Sequence, residues 1–354
     1  MNTNAAVIGL DIAKNVFVAV GLSAHGKVVF KKKLARNEVL AHFANVPKTA
    51  VGIEACAGAH YWARELGKLG HDTKLIAAQH VKAYVTGNKN DARDAQAIAE
   101  IRTRASTKYV PINTEAQQDL QMLHRARQGL MQERRALICR LRAFAHEYGK
   151  VFPAGVAKFH QGLRAWLKSA DPGLSDMALQ TLRELFTQLD DKDARLNDYD
   201  RRLEQAARQD TRAKRLMAVP GIGKLTATAM VATLADPHHF GSGRDLSANL
   251  GIVPHQHSSG GNERLLGISK RGDAYLRTLL IHGARSALRA AGDKPDRLLR
   301  WAVTVQARRG TNVAAVALAN KMARVAWALL AHDRDYDPAH AGKRAGAAAT
   351  PAQA

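Results

Sequence analysis

The segment that decides the fold is Ala6-Val7-Ile8-Gly9-Leu10-Asp11, a short apolar run that ends at a carboxylate. A run of this length predicts a buried β-strand. Further strands are predicted over residues 16–21 and 27–32, on either side of the turn signal Ser23-Ala24-His25-Gly26. Because both connections are short, the three strands are expected to form an antiparallel meander.

Helices and strands alternate in the next part of the chain. The sequence predicts a helix over residues 37–44 with Asn37 as its cap, a strand over 50–54, a helix over 59–69 and a strand over 72–76. The resulting order, β-β-β-α-β-α-β followed by helices, indicates an α/β layered domain. It is also the element order of the ribonuclease-H-like fold.

Four carboxylates in this region are candidates for a metal site. Asp11 and Glu54 end two strands that are neighbours in a ribonuclease-H-like sheet. Asp91 and Asp94 stand three residues apart on a predicted helix, where they share one face. Converging carboxylates repel unless a cation holds them, and their oxygens are the ligands that Mg²⁺ prefers. Two such ions can activate an attacking oxygen and stabilise a leaving one at a phosphodiester.

Each of these carboxylates also has a purely structural explanation. Asp91 is able to cap its helix, and Asp94 stands where the helix dipole favours an acid. Asp11 fits the start of a turn, and Glu54 fits an ion pair with one of the many arginines. Taken together, two acids at strand ends and two on one helix favour the metal site.

Residues 113–210 are predicted to form a helical segment. The pattern is helical and charged over 115–148, and a second long helix reaches Gln209 after a break rich in Pro and Gly. Leucines recur there at heptad spacing, which predicts a coiled-coil seam. They are Leu182, Leu189, Leu196 and Leu203. The seam fits either an antiparallel helical hairpin or a self-association surface.

Residues 211–335 predict a mainly helical domain, and residues 336–354 predict a disordered tail because Ala, Gly and Pro bury no core. The run Val219-Pro220-Gly221-Ile222-Gly223-Lys224 lies between two helices and predicts a helix-hairpin-helix. Its glycines permit the turn, and the second helix would present N–H groups to a backbone phosphate. An ordinary turn between helices is the alternative.

A second candidate site is the loop Ser258-Ser259-Gly260-Gly261, which basic residues flank. These are Arg264, Lys270, Arg271 and Arg277. Such a loop is able to hold a phosphate against a hydroxyl nucleophile. Serine and glycine are also common loop residues, and the spacing identifies no base to activate the serine. The residues alone therefore leave this site open.

The charge balance predicts a polyanionic partner. Lys and Arg total 53 against 31 Asp and Glu, a formal net charge of +22. Lys and Arg that neutralise phosphates release condensed counterions, which favours nucleic-acid binding.

No stretch approaches the ~20 apolar residues of a membrane helix, and residues 1–7 lack a basic leader. Cys56 and Cys139 match no metal or redox spacing. We expect a protein of the reduced cytoplasm.

The ordered set of motifs resembles the DEDD-type transposases of the insertion-sequence-110 family. The resemblance extends from Gly9 to about residue 330. Its motifs are Gly9–Lys14, Gly52–Cys56, Lys89–Ala95, Val219–Gly223 and Ser258–Arg277. Each motif is weak alone, whereas all five in this order are highly specific.

The resemblance implies a RuvC-like nuclease domain over residues 1–112 and a transposase domain over 211–335. It implies that Ser259, rather than the adjacent Ser258, is a nucleophile that forms a phosphoserine intermediate. It also implies that four residues hold Mg²⁺, or Mn²⁺ in its place. They are Asp11, Glu54, Asp91 and Asp94.

The resemblance further implies partners. A noncoding bridge RNA would pair with both donor and target DNA, and the enzyme would be a dimer that pairs into a tetramer on DNA. Its composite site would join domains of different subunits, assembled through the coiled coil, near the bacterial nucleoid. Two alternatives remain: a hydrolytic two-metal junction nuclease without a serine intermediate, and a non-enzymatic binder of RNA or branched DNA.

Overall fold

A computed structural model describes residues 5–84, 90–234, 236–260, 262–292 and 296–339. Lys89 and Gly261 of the predicted motifs, and residues 340–354 of the predicted tail, lie outside these ranges. The contacts divide the chain into two compact units, Met1–Glu115 and Ala116–Ala354. The finer division into three domains and a tail stays a prediction.

The first unit contains a six-stranded mixed sheet in the order β3-β2-β1-β4-β5-β6. Its strands are β1 (Val7–Asp11), β2 (Val16–Leu22), β3 (Val28–Ala35), β4 (Ala50–Glu54), β5 (Asp72–Ile76) and β6 (Tyr109–Val110). The first three form the predicted antiparallel meander, and β1 pairs in parallel with β4 as expected. This mixed α/β arrangement is compatible with a ribonuclease-H-like domain.

Helices cover both faces of this sheet. They are α1 (Val39–Ala44), α2 (Ala59–Lys68), α3 (Ala78–Tyr84) and α4 (Asp91–Arg102). Alternate strand residues face opposite sides. Leu10 and Phe17 pack with Trp62 of α2, whereas Val18 packs with Ala95 of α4.

The predicted cap of α1 is wrong. The helix is preceded by Glu38, not Asn37, and no side chain caps it. The reason is a tight turn after β3, in which the amide of Glu38 donates to the carbonyl of Ala35. The Glu38 carboxylate in return accepts from the Ala35 amide at 2.8 Å. This turn places Asn37 outside the helix.

The second unit begins with three helices, α5 (Glu115–Glu147), α6 (Val156–Leu167) and α7 (Asp176–Gln209). Helices α5 and α7 run antiparallel, because later residues of α5 contact earlier residues of α7. Arg127 pairs with Asp200, and Arg134 pairs with Asp193. Helix α6, which the sequence did not predict, lies between them in the chain.

The heptad leucines of α7 are buried within this single chain. Leu182 and Leu189 belong to a core with Leu137 and Leu141 of α5. Leu196 and Leu203 are also at most 5% exposed. The seam therefore fits the antiparallel hairpin, and its burial leaves no free leucine face among these four residues for self-association.

The rest of the second unit is mainly helical. Its helices are α8 (Thr211–Met217), α9 (Lys224–Thr233), α10 (Gly243–Asn249), α11 (Ala274–Arg289), α12 (Arg297–Arg309) and α13 (Thr311–Ala331), with a 3-10 turn at Pro237–His239. A two-stranded hairpin that the sequence did not predict joins β7 (Pro254–Gln256) to β8 (Leu265–Ile268).

Helix α13 corrects the expectation that no stretch is apolar enough to cross a membrane. Within the described ranges it passes that test by length and composition alone. Its buried residues are mostly small, including Ala315, Ala319 and Ala323, and they let α10, α11 and α12 pack closely against it. The apolar composition is accounted for by its place in the largest core of the second unit.

Candidate metal centre and serine hairpin

Three carboxylates meet at one corner of the first unit. Asp11 ends β1, while Asp91 and Asp94 lie in the first turn of α4. One oxygen atom from each lies within 4.8 Å of the others. Asp11 and Asp94 are half-buried, and Asp91 is exposed. The structure thus joins residues that are 80 positions apart (91 minus 11) into one acidic cluster.

Small residues on the sheet bring α4 to this corner. Gly9 and Gly52 stand side by side on β1 and β4, and both face α4. A Cβ atom added to Gly52 would lie 3.0 Å from Cγ2 of Ile98. Because neither strand presents a side chain here, the helix packs closely on the sheet and its first turn reaches the end of β1.

Neither aspartate of α4 is used as the helix cap. The cap is Asn90, whose side chain accepts a hydrogen bond from the amide of Ala92 at 2.9 Å. The alternative in which Asp91 caps the helix is therefore wrong. The sequence did not predict Asn90 as the cap, although an Asn directly before a helix is a common cap.

Glu54 lies near this cluster without being part of it. It ends β4 one residue after Ile53, which pairs with Leu10 of β1. Its carboxylate is outside the group of three oxygens within 4.8 Å that the described residues form. Burial, then the carboxylates of Glu54 and Asp11, raise the pKa of the Cys56 thiol. Both carboxylates therefore act on the same small region.

The three clustered carboxylates suit a divalent cation. Mg²⁺ binds oxygen at about 2.0–2.1 Å, so ligands on opposite sides of one ion lie about 4.2 Å apart. The three oxygen atoms lie within 4.8 Å of one another, so small movements of the side chains would let them share one ion. Three carboxylates this close also repel one another, and a cation offsets that repulsion. The donor set consists of hard oxygens, which favours Mg²⁺ or Mn²⁺ over softer metals.

The serine motif forms the tip of the β7–β8 hairpin rather than an irregular loop. A bridge between Ser259 and Asn262 closes the tip, and the amide of Asn262 donates to the carbonyl of Ser259 at 3.0 Å. Gly260 has a φ of +56°, which favours glycine. Residues 258–260 are all exposed, so the tip is accessible to a large substrate.

The two adjacent serines differ in their hydrogen bonds. The Ser258 hydroxyl accepts from the Arg264 amide at 3.2 Å and from Nε2 of Gln256 at 3.1 Å. The Ser259 hydroxyl makes no hydrogen bond with any residue that the structure describes. Ser258 therefore stabilises the hairpin, whereas the oxygen of Ser259 is available.

The predicted basic residues lie at both ends of the hairpin. Arg264 is close to the tip, because its backbone contacts Ser258. Lys270 and Arg271 follow β8 at the base, six and seven residues beyond Arg264 and so roughly 20 Å away given the rise of a strand. Arg277 donates to the carbonyls of Leu250 and Arg271 and so holds the base loop. Only Arg264 is thus brought next to the serines.

The glycine turn before α9 packs against α11. A Cβ atom on Gly221 would lie 2.8 Å from the carbonyl oxygen of Gly283, and the φ of Gly221 is +88°. Gly223 is exposed and directly precedes α9. Lys224 begins the helix, and its ammonium forms a 2.6 Å ion pair with Glu204 of α7.

The chain is similar to known proteins over most of its length. A model described as "Transposase IS116/IS110/IS902 family" matches residues 213–300, and a DEDD transposase model of the IS110 type matches residues 8–149. A "Probable family 20 transposase" of Pseudomonas aeruginosa is 44% identical over 95% of this chain and 99% of its own length.

The chain belongs to the IS110 family of transposases.

Two further relatives are named for their insertion sequences. The transposase of IS1111A from Coxiella burnetii is 43% identical over 93% of this chain and 91% of its own length. The transposase of IS1328 from Yersinia enterocolitica is 37% identical over 92% and 96%. The protein is therefore an insertion-sequence transposase, an enzyme that cuts and rejoins DNA. The acidic cluster and the serine hairpin each lie in a family-matched segment.

Proposed function

We propose that this transposase cuts and rejoins DNA through a covalent bond to Ser259, with a divalent metal beside the acidic cluster. The observation that carries the proposal is the convergence of Asp11, Asp91 and Asp94 from two separate elements. A purely structural role would give no reason to gather three carboxylates there. The availability of the Ser259 hydroxyl supports the proposed covalent bond to that residue.

The proposed metal ligands are the three clustered aspartates together with Glu54, the remaining acid at the neighbouring strand end. Mg²⁺ or Mn²⁺ fits these oxygen donors. When bound, such ions activate an attacking oxygen and stabilise a leaving one. The close packing of α4 on the sheet holds the aspartates in place before metal binds, which lowers the cost of assembling the site.

The serine chemistry is a balanced exchange of phosphodiester bonds. Oγ of Ser259 forms a bond to phosphorus, the bond from phosphorus to a sugar oxygen breaks, and the serine proton ends on that sugar oxygen. Rejoining reverses this, since a sugar hydroxyl of another strand attacks the phosphoserine and the serine hydroxyl returns. The side chain of Arg264 would contact the phosphate at the hairpin tip. No nucleotide hydrolysis is required, because one bond replaces another.

The basic surface would bind the nucleic acids. The formal net charge of +22 suits a protein that contacts several strands. Candidate contacts besides Arg264 are Gly221, Gly223, Lys224, Lys270, Arg271 and Arg277. Guidance by a noncoding bridge RNA, and a dimer that pairs into a tetramer on donor and target DNA, rest on the family resemblance. The acidic cluster and Ser259 lie in different compact units, which suits a composite site.

The test measures excision and circle formation in bacterial cells that carry the element with its flanking noncoding sequence. Asp11→Ala and Ser259→Ala should abolish the product while both proteins accumulate at the wild-type level. Ser258→Ala is the matched control, and it should retain most activity because that hydroxyl only stabilises an exposed hairpin. Loss in Ser258→Ala with full activity in Ser259→Ala would reverse the assignment.

A hydrolytic nuclease is the second candidate, favoured by one observation. No base lies within hydrogen-bond reach of the Ser259 hydroxyl in the described part of the chain, whereas the acidic cluster lies wholly in the first unit. In that case water attacks the phosphodiester. Ser259→Ala would then still cut DNA, and Asp11→Ala alone would be inactive.

A further inference from the structure

A cavity of about 1030 Å³ lies in the second unit, and no residue of the serine hairpin is among its described lining residues. Residues of α10, α12, α13 and the segment after α13 line it. Sites for small organic ligands measure about 300–1,000 Å³. The cavity is therefore large enough for a nucleotide, and no part of the proposed cutting chemistry uses it.

The charge that lines this cavity is positive. Five basic residues and two acidic ones, Asp335 and Asp337, are among the lining side chains. The basic ones are Arg244, Arg297, Lys321, Arg324 and Arg334. Asp335 is already engaged by an ion pair with Arg215 at 3.1 Å. None of the five basic residues forms an ion pair with a carboxylate in the described ranges.

This lack of pairing contrasts with several basic side chains of α5 and α7. On α5 and α7 basic side chains meet acids, as Arg127 meets Asp200 and Lys192 meets Glu133. In the cavity, burial and the neighbouring Arg324 lower the pKa of Lys321. Positive charge gathered without acidic partners costs free energy, which an anionic ligand would offset.

Aromatic side chains form part of the cavity wall and are held in place. The ammonium of Lys321 lies 3.5 Å from the ring centroid of Trp301. The indole N–H of Trp327 donates to the carbonyl of Pro237 at 2.9 Å. The hydroxyl of Tyr336 donates to Asp296 at 2.7 Å. Rings fixed by such contacts are suitable platforms for a base, because they lose little freedom on binding.

We propose that this cavity binds a single nucleic-acid strand, with phosphates at Arg244 and Arg324 and an unstacked base among the aromatic side chains. Single strands are typically held by basic grooves with aromatic platforms. A duplex keeps its bases stacked inside and would offer the rings no base face. RNA and DNA strands share this chemistry. The site goes beyond the proposed cutting reaction and is independent of Ser259.

The experiment measures the affinity of the full chain for three fluorescent probes of about 12 nucleotides, a length within the range of known single-strand sites. The probes are oligo-U, oligo-dT and a DNA duplex, and fluorescence anisotropy reports binding at several salt concentrations. The test variant carries Arg244→Gln and Arg324→Gln, both exposed positions where folding is not at risk. The control carries Arg201→Gln and Arg202→Gln, which remove two exposed charges of α7 that pair with Asp198.

The cavity variant should bind single strands about tenfold more weakly. The slope of the logarithm of its binding constant against the logarithm of salt concentration should become shallower by about 1.4, because two phosphate contacts are lost. The control variant and the duplex should change far less. A preference of the wild type for oligo-U would identify RNA as the strand that the cavity binds, and a preference for oligo-dT would identify DNA. Equal losses in both variants, or equal losses for duplex and single strand, would overturn the proposal.

Discussion

Gly9 of β1 and Ala95 of α4 approach so closely that no side chain fits between strand and helix. A Cβ atom on Gly9 would lie 2.6 Å from the backbone nitrogen of Ala99 and closer still to the carbonyl oxygen of Ala95. Asp11 lies two residues beyond Gly9, and Asp94 directly precedes Ala95. The contact that needs glycine therefore also sets the spacing of the acidic cluster.

Gly9→Ala should separate the cluster. The added methyl meets helix backbone, which cannot rotate away, so α4 must shift. Overpacking of this kind costs about 1–3 kcal/mol of unfolding free energy. A displacement near 1 Å at a catalytic group costs about 100-fold in rate. Thermal melting of the purified variant checks its stability, the excision assay in cells checks its rate, and Mn²⁺ titration checks whether the cluster still binds metal.

The matched control is Gly67→Ala in α2, where an added Cβ has nothing within 4 Å. Alanine favours a helix by up to about 1 kcal/mol over glycine, so this variant should be as stable as the wild type or more so. If Gly9→Ala binds Mn²⁺ as tightly as Gly67→Ala does, the close contact does not position the aspartates.

The sheet and the acidic residues were largely predictable from the sequence. The strands β4 and β5 match their predicted bounds, because apolar runs with clear ends are local signals. The parallel neighbours β1 and β4 followed from the element order. The meeting of Asp11 with Asp91 was predicted from two acids at strand ends and two on one helix, and the family resemblance named the same residues; the exact packing of α4 on the sheet had no local signal.

The missed elements depend on distant contacts. Strand β6 has two residues and exists by pairing with Leu75 and Ile76, far away in sequence. The β7–β8 hairpin is anchored where a Cβ on Gly251 would overlap the backbone of Arg271, a contact that a Ser-Gly-rich run does not reveal. Helix α6 was hidden by the Pro and Gly residues on both sides of it.

His124 should make stability depend on pH. It is 3% exposed, and burial, followed by the charge of Arg127, lowers its pKa to about 4. The Thr228 hydroxyl donates to the carbonyl of Lys224 and so accepts from Nε2 of His124, while Nδ1 accepts from the Tyr275 hydroxyl. The folded state therefore holds a neutral imidazole.

The sign follows from the lowered pKa. Below its ordinary pKa of 6.5 the unfolded chain binds a proton that the folded chain refuses, so the free energy of unfolding falls from pH 6.5 toward pH 4. Between pH 7 and pH 5 the loss is about 2 kcal/mol. Denaturant unfolding of wild type and His124→Gln at both pH values checks this. An equal pH dependence in both proteins would contradict it.

Lys224 should contact DNA only after leaving Glu204. Their ion pair ties the first residue of α9 to α7, and both side chains are partly exposed. Glu204→Gln removes the competing carboxylate, so it should strengthen binding of duplex DNA by about two- to fivefold. Lys224→Gln should weaken the binding of duplex DNA.

Filter binding at fixed salt measures both variants, with Glu133→Gln as a control that removes a charge from another ion pair. Unchanged binding in Lys224→Gln would exclude this contact.

Two inactive chains should restore activity when they are mixed. If the site is composite, the acidic cluster of one subunit acts with Ser259 of another. An Asp11→Ala chain still supplies the serine, and a Ser259→Ala chain still supplies the carboxylates. Co-expression of the two should therefore return part of the excision that each lacks alone, whereas co-expression of Asp11→Ala with Asp91→Ala should not, because both chains lack an intact cluster. Recovery in neither mixture would mean that each chain completes its own site.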